Sequence, residues 1–127
     1  MSSYVLDASA MLALLNREPG EDRVGPILAD SVISAVNYCE VLSKLIDAGM
    51  PEEAARESVD LLGVEVIGFD ADLAHLAATL RSATRRFGLS LGDRCCLALG
   101  LTRRHTVITA ERTWAQLQIG VEIEVIR

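Results

Sequence analysis

Histidine and cysteine are scarce in this 127-residue chain, and their scarcity excludes several kinds of site. His75 falls within a predicted helix and His105 just before the fourth predicted strand, so neither is well placed as a catalytic base. Three cysteines, with Cys95 and Cys96 adjacent in an apolar segment, make a poor disulfide framework and a poor zinc site. We expect these two and Cys39 to be small core residues in a reducing cytoplasm. Without a well-placed histidine to activate a nucleophile, acyl transfer through a covalent intermediate is not expected.

Long apolar runs and linkers are also missing. No window approaches the roughly 18 apolar residues that cross a bilayer, so no membrane partner is expected. The amino-terminal residues lack the basic segment of a secretory signal. The hydrophobic content of 50% is enough to fill one continuous core, and no repeat or low-complexity tract divides the chain. We therefore expect a single domain, residues 1–127, in the cytoplasm.

Positive charge is not in excess either. The formal net charge is −6, which argues against a partner held by simple attraction to phosphate. The basic residues are nevertheless uneven, because eight of the eleven arginines lie in the second half, among them Arg81, Arg85, Arg86, Arg94, Arg103, Arg104 and Arg112. They form either solvated helix faces or a local phosphate-contacting patch, and both interpretations stay open.

Short segments rich in β-branched residues alternate with stretches of helical periodicity. The strand candidates are 4–6, 32–35, 64–67, 106–108 and 121–126. The helix candidates are 8–15, 21–29, 36–49, 52–62, 70–88, 90–103 and 111–117. Strands separated by helices of this length indicate a parallel sheet covered on both faces. The predicted fold is a three-layer α/β/α domain with a central, mainly parallel five-stranded sheet.

Four acids stand out from the eighteen by their positions. Asp7 ends the first strand, and Glu111 follows the fourth strand after a short turn. Ligands bind beyond the carboxyl ends of parallel strands where the strand order reverses, so these two acids are predicted neighbours. Glu40 lies one turn into the helix after the second strand, and Asp93 lies at the start of the helix before the fourth. Both helix starts can face the same end of the sheet.

Each acid also has a structural explanation. Asp7 could cap a helix, and Asp93 could belong to a capping box. Glu111 could pair with a helix dipole, and Glu40 could pair with Lys44. Four carboxylates at one end of one sheet would, however, raise each other's pKa values unless a cation lay between them. The set therefore indicates a divalent metal, and all-carboxylate ligands favour Mg²⁺ or Mn²⁺ acting on a phosphodiester.

Four segments around these acids carry a resemblance to a known family. They are YVLDASA at 4–10, NYCEV at 37–41, LSLGD at 89–93 and VITAERTW at 107–114. In order and spacing, over essentially the whole chain, they resemble the acidic motifs of PIN-domain ribonucleases. The motifs are most similar to those of the VapC toxins of bacterial and archaeal toxin–antitoxin pairs.

The resemblance implies a PIN-like fold and an endoribonuclease that cuts structured RNA, such as tRNA or rRNA, and so inhibits translation. It implies Mg²⁺ or Mn²⁺ as cofactor, a homodimer, and neutralisation by a cognate VapB-like antitoxin. By that likeness the catalytic and metal-binding acids are Asp7, Glu40, Asp93 and Glu111. The supporting polar residues are Ser9 and Thr109, which orient a carboxylate or a water, and Asn37 beside Glu40. The candidate RNA contacts are Arg94 and Arg112, which adjoin two of the acids.

Two departures from the family pattern affect the fourth acid. Glu111 stands where relatives more often have Asp, and Thr113 stands where some carry a further acid. Whether one or two ions act is therefore open. The rival interpretation is a catalytically inactive PIN-like module that binds RNA or protein. A HAD-type phosphatase is disfavoured because Ser9 stands where such enzymes need a second Asp, and the third strand lacks the phosphorylatable acid of a receiver domain.

Overall fold

The structure is a computed structural model that describes residues 3–127. The five strands are β1 (Tyr4–Leu6), β2 (Ser31–Ser34), β3 (Glu65–Ile67), β4 (Thr106–Thr109) and β5 (Ile123–Val125). The seven α-helices in this range are α1 (Ala8–Leu15), α2 (Glu21–Val24), α3 (Ala35–Asp47), α4 (Glu52–Asp60), α5 (Ala71–Thr79), α6 (Arg81–Thr84) and α7 (Leu91–Arg103). Three 3₁₀ segments lie at Gly25–Asp30, Arg85–Phe87 and Arg112–Gln116. No helix within the described range is long and apolar enough to cross a membrane.

The strands form one sheet in the order β3-β2-β1-β4-β5, and all four pairings are parallel. Because neighbouring side chains on a strand point to opposite faces, the sheet feeds two cores. Val5, Val32 and Val107 pack in one core with residues of α5 and α7. Leu6 and Ile33 pack in the other with residues of α1, α3 and α4. The predicted three-layer α/β/α fold is therefore confirmed.

Two of the predicted helices are interrupted. The prediction of one helix over 70–88 is wrong, since α5 ends at Thr79 and is followed by α6 and a 3₁₀ turn. The Thr84 hydroxyl donates to the Leu80 carbonyl at 2.8 Å, and such back-bonding disturbs a regular helix. The prediction over 21–29 is wrong in its second half, where Pro26 follows Gly25 and the chain continues as a 3₁₀ segment.

The prediction that all three cysteines are core residues is wrong for Cys39. Cys95 and Cys96 are buried, whereas Cys39 is exposed. Helix α3 buries Asn37, Val41 and Leu45, which recur every four residues. Cys39 lies midway between the first two and therefore projects from the opposite face of the helix.

Candidate active site

The carboxyl ends of β1 and β4 meet where the strand order reverses. From β1 the chain continues to β2 and β3 on one side, and then returns to β4 and β5 on the other. Asp7 follows β1 directly, and its N–H donates to the Ile108 carbonyl of β4 at 3.1 Å. Glu111 lies two residues beyond β4. This is the position at which open parallel sheets bind ligands.

A cavity of about 440 Å³ opens at this point of the sheet. Its lining includes all four acids singled out in the sequence: Asp7, Glu40, Asp93 and Glu111. The other lining residues are Ala8, Ser9, Leu12, Asn16, Glu18, Lys44, Leu45, Ala48 and Arg127. Four segments that are far apart in sequence therefore contribute carboxylates to one cavity.

Asp7 is the most buried and the most completely hydrogen-bonded of the four acids, with 3% of its surface exposed. Its Oδ1 accepts from the Ala10 N–H at 2.8 Å, which makes Asp7 the N-cap of α1. The Ser9 hydroxyl lies 2.7 Å from Oδ1 and 2.9 Å from Oδ2. The Thr109 hydroxyl donates to Oδ2 at 2.5 Å. These contacts hold the carboxylate in one orientation at the cavity wall.

Burial raises the pKa of Asp7 from its ordinary value of 3.8 to about 6. The main cause is desolvation of the charged form. Hydrogen bonds from Thr109, Ala10 and Ser9 oppose this by stabilising the carboxylate, and the nearby charge of Asp93 raises the pKa further. Both carboxylates line the same cavity.

Thr109 and Ser9 also connect Asp7 to the segment that carries Glu111. The Thr109 Oγ1 accepts from the Glu111 N–H at 3.0 Å, and the Ser9 Oγ accepts from the Ala110 N–H at 2.9 Å. The two hydroxyls lie 3.3 Å apart. One network of side-chain hydroxyls therefore fixes the end of β1 relative to the end of β4. The Glu111 side chain itself is exposed at the cavity.

Glu40 is positioned by Asn37 and by helix α7. The buried Asn37 Nδ2 donates to Glu40 Oε1 at 2.7 Å and to the Gly92 carbonyl at 3.0 Å. A Cβ built on Gly92 would lie 2.6 Å from the Glu40 Cδ and would also overlap Oε2. Only glycine at position 92 leaves room for the Glu40 carboxylate in this place. Because Gly92 precedes Asp93, the contact brings the second and third acids together.

Asp93 has the capping role that the sequence allows. Its Oδ2 accepts from the Ser90 N–H at 2.9 Å, and the Ser90 Oγ accepts from the Asp93 N–H at 3.2 Å, which completes a capping box. The carboxylate still lines the cavity. Capping and a role in the cavity are therefore compatible, since one oxygen is committed to the cap and the other is not.

The two candidate RNA contacts lie outside the cavity lining. The Arg94 Nη1 donates to the Ala77 carbonyl of α5 at 3.1 Å, so this side chain ties α7 to α5. Arg112 is exposed, and its Nε donates to the carbonyl of Arg127 at 3.1 Å. Their contact with RNA remains a prediction.

Two other cations line the cavity: Lys44, which the sequence indicated only as a possible partner of Glu40, and Arg127, which it did not single out. Lys44 lies one helical turn after Glu40 on α3. Arg127 donates to Glu18 Oε1 at 3.2 Å and to the Pro19 carbonyl at 3.4 Å. The spacing of Glu40 and Lys44 did place them on one helix face, but no ion pair joins them among the described residues. No local pattern places Arg127, because its position depends on how the segment after β5 packs.

The donor set fits a divalent cation by its chemistry. The cavity lining contains five carboxylates, the four acids and Glu18, and no histidine or cysteine, and hard ions with oxygen ligands select such a set. One Asp93 oxygen and the exposed Glu111 carboxylate have no hydrogen-bond donor among the residues described. Within residues 3–127 no three aspartate, glutamate, histidine or cysteine side chains lie close enough together to hold a metal ion in this conformation. The four acids line one cavity without forming a ligand cluster.

Comparison with known proteins identifies the family. The PIN domain family matches residues 4–119, and the chain therefore belongs to the PIN-domain family. A comparison with curated protein sequences finds no match.

Several solved structures share the fold over nearly the full chain. A DNA-bound VapBC from Salmonella typhimurium superposes with a TM-score of 0.77 at 19% identity, covering 100% of both chains. VapBC2 from Rickettsia felis, bound to a promoter DNA fragment, superposes with a TM-score of 0.75 at 16% sequence identity, covering 98% of each chain. Mycobacterium tuberculosis VapC20, a sarcin–ricin loop cleaving toxin, superposes with a TM-score of 0.70 at 16% sequence identity, covering 91% of this chain and 97% of that one. The predicted PIN-domain membership is confirmed, and the likeness to VapC-type proteins is confirmed for the fold.

Proposed function

We propose that this chain is a metal-dependent endoribonuclease of the VapC type, which cleaves structured RNA such as tRNA or rRNA and so inhibits translation. The observation that carries the proposal is the cavity at the switch point of the sheet, where Asp7, Glu40, Asp93 and Glu111 meet in a PIN domain. Structural relatives support it, since one is a toxin that cleaves the sarcin–ricin loop.

Three of the four acids are better supported as metal ligands than the fourth, Glu111. Asp7, Glu40 and Asp93 would hold Mg²⁺ or Mn²⁺, because each has its orientation fixed by a hydrogen bond or a cap. A divalent ion bound there would polarise the scissile phosphate and lower the pKa of the attacking water. Glu111 is exposed and anchored only through its backbone, so it would hold that water or a second ion.

The polar neighbours would keep the acids in place during the reaction. Thr109 and Ser9 would stop Asp7 from rotating, and Asn37 would do the same for Glu40. Lys44 and Arg127 would contact the non-bridging oxygens of the RNA phosphates, since they are the two cations of the cavity lining.

We further propose that a cognate VapB-like antitoxin neutralises the protein and that the chain forms a homodimer. Two relatives solved as VapBC systems support the antitoxin partner. The homodimer follows only from the resemblance of the sequence motifs to those of VapC toxins. Apolar side chains of Leu12 and Leu45 lie beside the acids in the cavity lining, which would suit a protein segment that contacts both.

The direct test is to incubate the purified protein with total RNA and Mn²⁺ or Mg²⁺, with EDTA as the metal-free control. Discrete cuts that require the metal are expected on primer-extension mapping. Their absence with both ions would instead favour a catalytically inactive PIN-like module that binds RNA or protein.

Replacing Gly92 by alanine is expected to lower kcat/KM for RNA cleavage by roughly 10- to 100-fold, the range found when a group that orients a metal ligand is lost. The added methyl group would displace the Glu40 carboxylate. The helix should persist, because alanine is favoured over glycine in helices by about 1 kcal/mol. Cleavage rate, Mn²⁺ affinity and thermal unfolding would be measured together.

The matched control for this change is Gly68→Ala, because a Cβ at Gly68 would meet no atom within 4 Å. It should leave cleavage and Mn²⁺ affinity unchanged. Wild-type Mn²⁺ affinity in a folded Gly92→Ala protein would show that the contact does not position Glu40.

A further inference from the structure

Acidic residues are nearly absent from one long part of this acidic chain. Between Asp72 and Glu111 the only acid is Asp93, although the chain has eighteen acids and a net charge of −6. Three arginines lie within six residues of one another in this part: Arg81, Arg85 and Arg86. We call these three the arginine ridge. Their local field is positive in a molecule that is negative as a whole.

The fold presents all three side chains of the ridge to solvent. Arg81, Arg85 and Arg86 are exposed, whereas Thr84 between them is completely buried. Leu80 before the ridge is 8% exposed, and Leu89 after it is 6% exposed. The segment is therefore anchored in the core at both ends and in the middle, with its arginines outward.

The ridge lies at the active-site end of α7. Arg94, which follows the cavity residue Asp93, donates to the Ala77 carbonyl and so joins the carboxyl end of α5 to the first turn of α7. The ridge begins four residues after Ala77 and ends four residues before Ser90, which caps α7. Arg103 lies at the other end of this 13-residue helix, about 18 Å away at 1.5 Å per residue.

Within residues 3–127 no acidic side chain forms an ion pair with a ridge arginine. The ion pairs among the described residues are Arg23–Glu124, Arg56–Asp60 and Arg127–Glu18, and none includes a ridge residue. Arg81 and Arg85 are four residues apart, a spacing at which like charges on a helix repel. The Arg86 guanidinium lies 4.6 Å from the centre of the Phe87 ring, which restrains it at the surface. Such a group of charges is stabilised when an anion binds it.

We propose that the arginine ridge binds the phosphodiester backbone of RNA and directs the strand to the cavity. This inference rests on the proposed nuclease function and names the surface that supplies the substrate-binding charge. A polyanion must overcome the net negative charge of the protein and the five carboxylates of the cavity lining. The ridge supplies three exposed cations near the end of α7 that carries the cavity residue Asp93. An acidic protein segment is the alternative occupant, which the experiment distinguishes.

The test compares the wild type with the triple variant Arg81→Gln/Arg85→Gln/Arg86→Gln by fluorescence anisotropy. The probe is a labelled RNA hairpin with a single-stranded tail, and EDTA prevents cleavage. The affinity of the triple variant should fall by roughly 100-fold at about 0.1 M salt, and the slope of log K against log salt should fall by about 2, from 0.7 per lost phosphate contact. The matched control is Arg103→Gln/Arg104→Gln, at the far end of α7, which should bind like the wild type.

Each result decides between stated alternatives. An equal loss of RNA affinity in the triple variant and in the control would contradict the proposal that the ridge is a specific RNA-binding surface. Unchanged RNA affinity in a folded triple variant would also contradict it. Loss of binding to labelled polyglutamate with RNA binding unchanged would assign the ridge to an acidic protein partner and overturn the proposal. If the ridge variants lose RNA binding but Mn²⁺ produces no cleavage, the proposed nuclease function is wrong and the RNA-binding role of the ridge is retained. If Mn²⁺ produces cleavage and the ridge variants bind RNA normally, the nuclease function is retained and the role of the ridge is wrong.

Discussion

Replacing Asp93 by asparagine is expected to reduce RNA cleavage by more than roughly 100-fold, because even the outer partners of a metal ligand contribute 10- to 100-fold. Asparagine keeps an oxygen that can accept the Ser90 N–H, so the cap of α7 should survive. It loses a negative charge that raises the pKa of Asp7. The metal-free variant should therefore be as stable as the wild type or slightly more stable.

The matched control for this substitution is Asp70→Asn. Asp70 caps α5 by accepting the Leu73 N–H at 2.9 Å, but it does not line the cavity. The Asp70→Asn substitution should change the rate of RNA cleavage by less than about twofold, since surface substitutions away from a site have small effects. Single-turnover cleavage and urea unfolding would be measured for both variants. An unfolded Asp93→Asn protein would mean that capping is the main role of this acid, and full cleavage would remove it from the catalytic set.

Protons and metal are expected to compete for Asp7, with a large effect on stability. Its pKa in the folded protein is about 6, above the ordinary value of 3.8, so folding favours the protonated form. The metal-free protein should therefore lose stability as pH rises from about 4 to about 6, by on the order of 3 kcal/mol at 1.36 kcal/mol per pKa unit. Above that window this group adds no further change.

The measurement is the free energy of unfolding in urea with EDTA, for the wild type and Asp7→Asn, across this pH range. The stability difference between the two proteins should shift by about 3 kcal/mol in favour of the variant as pH rises. A difference that is constant with pH would contradict the raised pKa.

Above pH 6, bound metal should offset the loss of folding stability that the ionised Asp7 carboxylate causes. Mn²⁺ at 100 times its Kd would stabilise the folded state by about 2.7 kcal/mol. Near pH 5 the proton would occupy Asp7, and the apparent Mn²⁺ affinity should fall about tenfold per pH unit below the pKa. A thermal shift with Mn²⁺ that is the same at both pH values, or that persists in Asp7→Asn, would show that the ion binds elsewhere.

The placement of the acids was predictable wherever strand topology decided it. Asp7 and Glu111 follow strands that proved adjacent, and parallel strands bring their carboxyl ends to one edge. The sequence also indicated that Glu40 and Asp93 lie at helix starts facing that edge. The contact between them was not predictable, because it depends on a side chain that packs against the backbone of Gly92.

Other features escaped prediction because they depend on tertiary packing. Arg94 adjoins Asp93 in sequence but points to α5, since neighbouring helix residues face directions about 100° apart. Arg127 reaches the cavity because the chain after β5 packs against the turn at Gly20, where a Cβ would lie 2.7 Å from Ile126. At the break between α5 and α6, the hydroxyl of the buried Thr84 bonds to the Leu80 carbonyl, a contact that hydrophobic periodicity does not reveal.

The most direct test of the proposed site is a crystal of the protein soaked in Mn²⁺ at about pH 7.5, above the pKa of Asp7, with data collected for anomalous scattering. We predict an anomalous peak in the cavity, ligated by Asp7, Glu40 and Asp93, and a second peak beside Glu111 if two ions bind. Saturating Mn²⁺ with no peak in this cavity, or a peak only at another surface, would contradict the claim that these acids hold the catalytic metal.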